Sequence, residues 1–119
     1  MEKLTNKEEE VMNILWKLEK AFVKEVLSEY EGEKPHYNTL STIVRNLEDK
    51  GFVGHEAFGK THRYYPKVTR EEYRKPFMSK AIDTYFNSNY KNVVSFFAKE
   101  EKISVDELKE IIKLIENRD

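Results

Sequence analysis

The chain has 119 residues, of which 39% are hydrophobic and 36% charged, with a formal net charge of −1. That is material for one ordinary domain, or for a small domain with an appendage, and its fifteen aromatic residues argue for a folded chain. The absence of cysteine excludes disulfides, thiol nucleophiles and thiolate metal sites. No stretch approaches the roughly 20 apolar residues of a membrane span, and Met-Glu-Lys opens the chain without an apolar leader, so a soluble cytoplasmic protein is expected. Charge is unevenly spread. Residues 1–33 hold five Lys/Arg against nine Asp/Glu, whereas residues 34–70 hold seven against three and carry all three histidines, His36, His55 and His62. A locally basic segment in a neutral chain is a candidate polyanion footprint.

Thr5-Asn6-Lys7-Glu8 has the spacing of a capping box. Val11, Ile14, Leu15 and Leu18 follow at helical intervals, predicting a first helix from about Asn6 to Leu18 with Trp16 as a core anchor beside the stripe. Phe22, Val23, Val26, Leu27 and Tyr30 predict a second helix of about two turns, stopped by Gly32 and Pro35. Leu40, Ile43, Val44 and Leu47 form the stripe of a third helix, Tyr37 to Lys50, ended by Gly51. Its other face shows Asn38, Thr39, Ser41, Thr42, Arg45 and Asn46, side chains suited to base edges and phosphates in a major groove. Beyond Gly51 the runs 52–58 and 61–65 flank Gly59-Lys60 and read as a β-hairpin ended by Pro66, with Lys60, His62 and Arg63 near its tip.

A new helix is expected from Thr69, with Glu72 closing a second capping box and Pro76 kinking or delaying the helix near its first turn. After a break at Asn87-Ser88-Asn89, a short helix carries Val93, Val94, Phe96 and Phe97, and a third capping box at Ser104-Val105-Asp106-Glu107 opens a last helix. The expected fold is mainly α with a small β-hairpin: a winged helix-turn-helix DNA-binding domain over residues 1–68, then a C-terminal helical dimerisation region over residues 69–119. About fifty residues this rich in large apolar groups need a partner surface. A second copy would supply it through Tyr73, Phe77, Ile82, Tyr85, Phe86, Val93, Phe97, Leu108, Ile111, Ile112 and Ile115. Two-fold symmetry of such a dimer suits a palindromic site on double-stranded DNA.

Several blocks carry a resemblance. Leu4 to Trp16, Val23-Lys24-Glu25-Val26, the run Thr39 to Phe52, and Tyr64-Tyr65-Pro66 with Val68 and Glu71-Glu72-Tyr73 together resemble the penicillinase-repressor (BlaI/MecI) family, in order and over nearly the whole chain. The resemblance implies a bacterial transcriptional repressor that binds an inverted-repeat operator as a homodimer and controls β-lactam resistance or a related operon. It also implies a membrane sensor-protease partner and induction by cleavage in the C-terminal arm. The chain departs from the family pattern at three places. Asn46 stands where many members carry a basic residue, the cysteine motif of the copper-responsive branch is absent, and Phe96 precedes Phe97 where the cleaved bond would have Asn before Phe.

Other classes are weaker. No Gly-rich phosphate loop, H-E-x-x-H or G-x-S-x-G occurs, and three scattered histidines offer no ligand spacing, so an enzyme is not expected and neither is a cofactor or metal. A winged-helix protein–protein adaptor and a ligand- or metal-responsive regulator that works without proteolysis are the alternatives.

Overall fold

The computed structural model describes residues 2–87, 89–100 and 104–116; the side chains of Tyr90, Phe97, Ala98, Glu100, Val105, Ile111, Leu114, Ile115 and Glu116 lie outside that description. The element order is α1 (Asn6–Leu18), β1 (Ala21–Phe22), α2 (Val23–Ser28), α3 (Tyr37–Asp49), β2 (Val53–Phe58), β3 (Thr61–Pro66), α4 (Arg70–Phe86), α5 (Tyr90–Glu100) and α6 (Val105–Glu116). The chain divides into two compact units, Glu2–Thr69 and the residues from Arg70 onward.

The first unit is a winged helix-turn-helix. Both arms of the Thr5–Glu8 capping box form: Glu8 N donates to Thr5 Oγ1 at 3.2 Å, and Thr5 N donates to Glu8 Oε1 at 2.9 Å. The same carboxylate then reaches α3's C-terminal end, where Lys50 Nζ lies 2.9 Å from Glu8 Oε2. Glu8 is only 5% exposed. Burial opposes its ionisation, but the Thr5 N–H and hydroxyl and the Lys50 ammonium outweigh that and hold its carboxyl below the ordinary value of 4.5. One side chain therefore caps α1 and ties it to α3.

α3 ends in a Schellman turn. Gly51 takes a φ of 84°, its N–H donates to Glu48 O at 3.0 Å, and Phe52 N donates to Leu47 O at 2.9 Å. The turn carries Phe52 and Val53 into the core formed by Val11, Met12, Leu15, Val26, Leu40, Val44 and Leu47. The hairpin then leaves with β2 and β3 paired antiparallel from Val53↔Pro66 to Phe58↔Thr61. Gly59 supplies the positive φ of 63° that a two-residue turn wants at its first position. Trp16, expected as a core anchor, is half-buried, and its indole Nε1 donates to Val68 O at 2.8 Å, fastening the end of the hairpin to α1.

The sheet corrects the sequence reading. Phe22 does not open the second helix: Ala21 and Phe22 form a third strand on β3, in register Ala21↔Tyr64 and Phe22↔Arg63, giving the order β1-β3-β2. Two residues carry no alternation to betray a strand, and the helical spacing of Phe22 with Val26 masked it. Phe22 instead precedes α2 as its N-cap residue, its N–H donating to Glu25 Oε1 at 2.9 Å.

The second unit packs three helices on a small core of Ile82, Val93, Leu108 and Ile112, with Met78, Phe86 and Val94 against it. α4 runs unbroken through Pro76, which withholds one N–H from the ladder without ending the helix. Asn87 closes it in a left-handed conformation, φ 50°. Asn89 and Ser104 cap the next two helices, accepting through Oδ1 from Asn92 N at 3.2 Å and through Oγ from Glu107 N at 3.1 Å.

Candidate nucleic-acid interface

α3 shows two unlike sides. Leu40, Val44 and Leu47 are buried under α1 and α2, which leaves Asn38, Thr42, Arg45 and Asn46 exposed and Ser41 partly so. On the exposed side the polar groups organise one another. Thr42 Oγ1 donates to Asn38 O at 3.0 Å, and Arg45 Nη2 donates to Thr42 Oγ1 at 3.3 Å, so the guanidinium lies back along the helix towards its N-terminus.

Between this side and the hairpin lies a cleft of about 550 Å³. α3 contributes Tyr37, Ser41 and Arg45; the hairpin contributes Lys60, Thr61, His62 and Tyr64; α2 and the strand before it contribute Phe22, Val23, Lys24 and Glu25. Its lining holds Lys24, Arg45, Lys60 and the titratable His62 against the single carboxylate of Glu25, which is already engaged with the Phe22 N–H. The cleft is therefore net positive and open to solvent, with Phe22, Tyr37 and Tyr64 as the aromatic residues of its lining. Burial pushes the Tyr64 hydroxyl up from its ordinary range, the Glu48 carboxylate adding to the shift and the Arg45 guanidinium opposing it.

Strand alternation sorts the hairpin. The pairs His55↔Tyr64 and Ala57↔His62 share the face that carries buried Val53, Ala21 and Tyr64, whereas Glu56↔Arg63 and Phe58↔Thr61 belong to the other. His55 and His62 stack almost parallel, ring centroids 4.0 Å apart and planes 7° apart, and Tyr64 stands tilted or edge-on to both. His55 Nδ1 donates to Glu48 Oε2 in the last turn of α3.

Of the residues picked out from sequence, the cleft brings together Ser41, Arg45, Lys60 and His62. Asn38 and Thr42 lie beside them on α3, linked to Arg45 through the hydrogen bonds above. Thr39 opens onto a different depression, where Glu10 and Glu33 are matched by Lys7 and Lys34. Asn46 stays exposed but lines none of the described clefts, and Arg63 falls in register with Glu56 and Phe22 on the sheet face away from His62. Sequence reasoning missed Lys24, Tyr37 and the Glu48–His55 contact. Lys24 reaches the cleft only because β1 folds the start of α2 against the hairpin, and that strand left no signal. Among the described residues no group of three or more His, Cys, Asp or Glu is placed to hold a metal ion, and no helix is long and apolar enough to cross a membrane.

The family model of the penicillinase repressor matches residues 4–117. The chain belongs to that family. It is 24% identical over 116 residues to the methicillin resistance regulatory protein MecI of Staphylococcus aureus (strain N315), covering 97% of this chain and 94% of that protein. A MecI of Mammaliicoccus sciuri is 23% identical with the same coverage. The penicillinase repressor of Bacillus licheniformis is 23% identical over 114 residues, 95% of this chain and 89% of its own length. The family is one of DNA-binding transcriptional repressors, and the winged helix-turn-helix built by residues 5–67 is the part of the chain suited to meet DNA.

Proposed function

We propose that the protein represses transcription by binding an inverted-repeat operator as a homodimer, with α3 in the major groove and the hairpin on the adjoining backbone. The observation that carries this reading is the cleft in which Arg45 from the helix and Lys60 and His62 from the hairpin converge. A major groove about 12 Å wide admits a helix, and the strand of phosphates beside it falls towards a basic wing. Arg45 offers a bidentate fork for a guanine edge; Lys24 and Lys60 are point charges for phosphates.

Dimerisation falls to the helical arm. α4 spreads its apolar residues around more than half of its circumference, and after Ile82 has been buried Tyr85 remains 78% exposed and Phe96 49% exposed. These rings offer a second copy an aromatic surface of the kind that dominates interfaces. Ile82, Val93, Leu108 and Ile112 serve the core of their own chain, and the side chains of Phe97, Ile111 and Ile115 lie outside the described residues. Tyr73 is buried with an edge-to-face contact to Phe77. A sensor-protease that cut between Phe96 and Phe97 would have to unwind α5 first, since the bond lies inside that helix.

The test is a titration against the DNA upstream of the protein's own gene at two salt concentrations, beside unrelated duplex. Tight, salt-sensitive binding that prefers an inverted repeat is the expected result. Equal affinity for all duplexes would remove the operator from the reading, and no binding at low salt would return the winged unit to the protein–protein adaptor class.

A further inference from the structure

His62 lines the cleft of the proposed DNA contact, but its stacking on His55 has no part in that reading. His55 and His62 lie diagonally across β2 and β3, parallel and 4.0 Å apart, one turned to the protein and one to the cleft. The groups facing them come from four directions: Glu48 and Arg45 from α3, Tyr64 from β3, Lys60 from the hairpin turn, and Lys24 with Glu25 from α2. Glu48 is the acceptor for His55 Nδ1, and His62 shares the lining of the cleft with Arg45, Lys60, Lys24 and Glu25, a net excess of positive charge.

We infer that this pair is a proton-linked phosphate site: a phosphodiester of the bound duplex enters the cleft beside His62, and the stack takes up one proton per wing as it does so. This rests on the DNA-binding reading above and adds its dependence on pH. Imidazole is the side chain whose charge changes between about pH 5 and pH 8. Two parallel imidazolium rings in contact repel each other, so the protons of the stack come on in separate steps that belong to the pair. The first is balanced by the Glu48 carboxylate at His55. The second, on His62, adds to a cleft that is already net positive until a phosphate arrives and balances it. Binding and protonation therefore favour each other, and by linkage each strengthens the other equally. The proton comes from solvent and no covalent bond changes.

The experiment compares duplex affinity of the full-length protein at pH 6 and pH 8, at fixed ionic strength, for the native protein, His62→Gln and His36→Gln. His36 precedes α3 and makes no side-chain capping bond, so it controls for histidine titration in general. Each proton taken up on binding contributes up to tenfold in affinity per pH unit, so the native protein is expected to bind at least tenfold more tightly at pH 6 than at pH 8. His62→Gln should lose that ratio and His36→Gln should keep it. A flat native profile, or a ratio that survives His62→Gln, overturns the proposal while leaving DNA binding intact. Failure to bind any duplex at either pH overturns the repressor reading itself, and this inference with it.

Discussion

The two units solve the problem of burying apolar surface differently. The winged unit closes its core within itself: α1, α2, α3 and all three strands each contribute at least one buried residue, and Glu8 fastens α1 to α3 through Lys50. Among the described residues the arm buries a core of Ile82, Val93, Leu108 and Ile112 and still presents Tyr85 and Phe96 to solvent. The winged unit also leaves Tyr37 and Phe58 about half exposed, so what sets the arm apart is Tyr85, 78% exposed, and what sets the winged unit apart is a polar helix face beside a basic cleft, which suits a polyanion.

The contrast is open to attack at several points. The largest effect should come from the winged core: Leu47→Ala removes a fully buried side chain and should cost about 2–5 kcal/mol in denaturant unfolding. Far-UV and fluorescence transitions that separate in this variant would show that the arm stays folded when the winged unit does not. Next comes Tyr85→Glu, which should raise the dimer dissociation constant at least tenfold in sedimentation equilibrium while leaving monomer stability nearly unchanged, because the ring lies outside the arm's core. A dimer insensitive to this change would move the interface off α4. Arg45→Ala should weaken operator binding by about 1–3 kcal/mol, concentrated on particular base pairs, whereas Lys60→Ala should weaken all duplexes alike and lower the salt slope by about one unit.

The smallest effect concerns pH. Because the Glu8 carboxyl titrates below its ordinary value of 4.5 in the folded chain, the stability it adds is fully present above that value and disappears as pH falls through the lower, folded one. Glu8→Gln should cost about 1 kcal/mol at pH 7 and should flatten the acid limb of the stability curve, read by thermal melts from pH 7 down to pH 3.

Much of this was legible in the chain before any coordinates. α1 and α3 follow from strong 3.6-residue stripes with the Thr5–Glu8 box at one start and Gly51 at one end, and the hairpin from a change of period around Gly59. Arg45 follows from its place opposite the apolar stripe of α3, and Lys60 and His62 from their place near the hairpin tip. What could not be read were features made by tertiary register. Ala21–Phe22 is too short to show alternation, so neither the third strand nor the placing of Lys24 was visible. The His55–His62 stack depends on a diagonal of the hairpin, and the Glu8–Lys50 bond joins residues 42 apart. In the arm, Ile82 and Tyr85 look alike as apolar helix positions; only packing shows that one is buried and the other is not.

The two-residue strand β1 has a mechanical consequence. By lacing the chain between α1 and α2 onto β3, it fixes the hairpin relative to the helix whose side chains would read the groove, so the two act as the jaws of a calliper with a set opening. A gauge of this kind responds to the spacing between groove floor and backbone, and hence to duplex stiffness at base pairs that no side chain touches. Slackening the lace would blunt discrimination between sequences more than it would weaken the grip on any one of them.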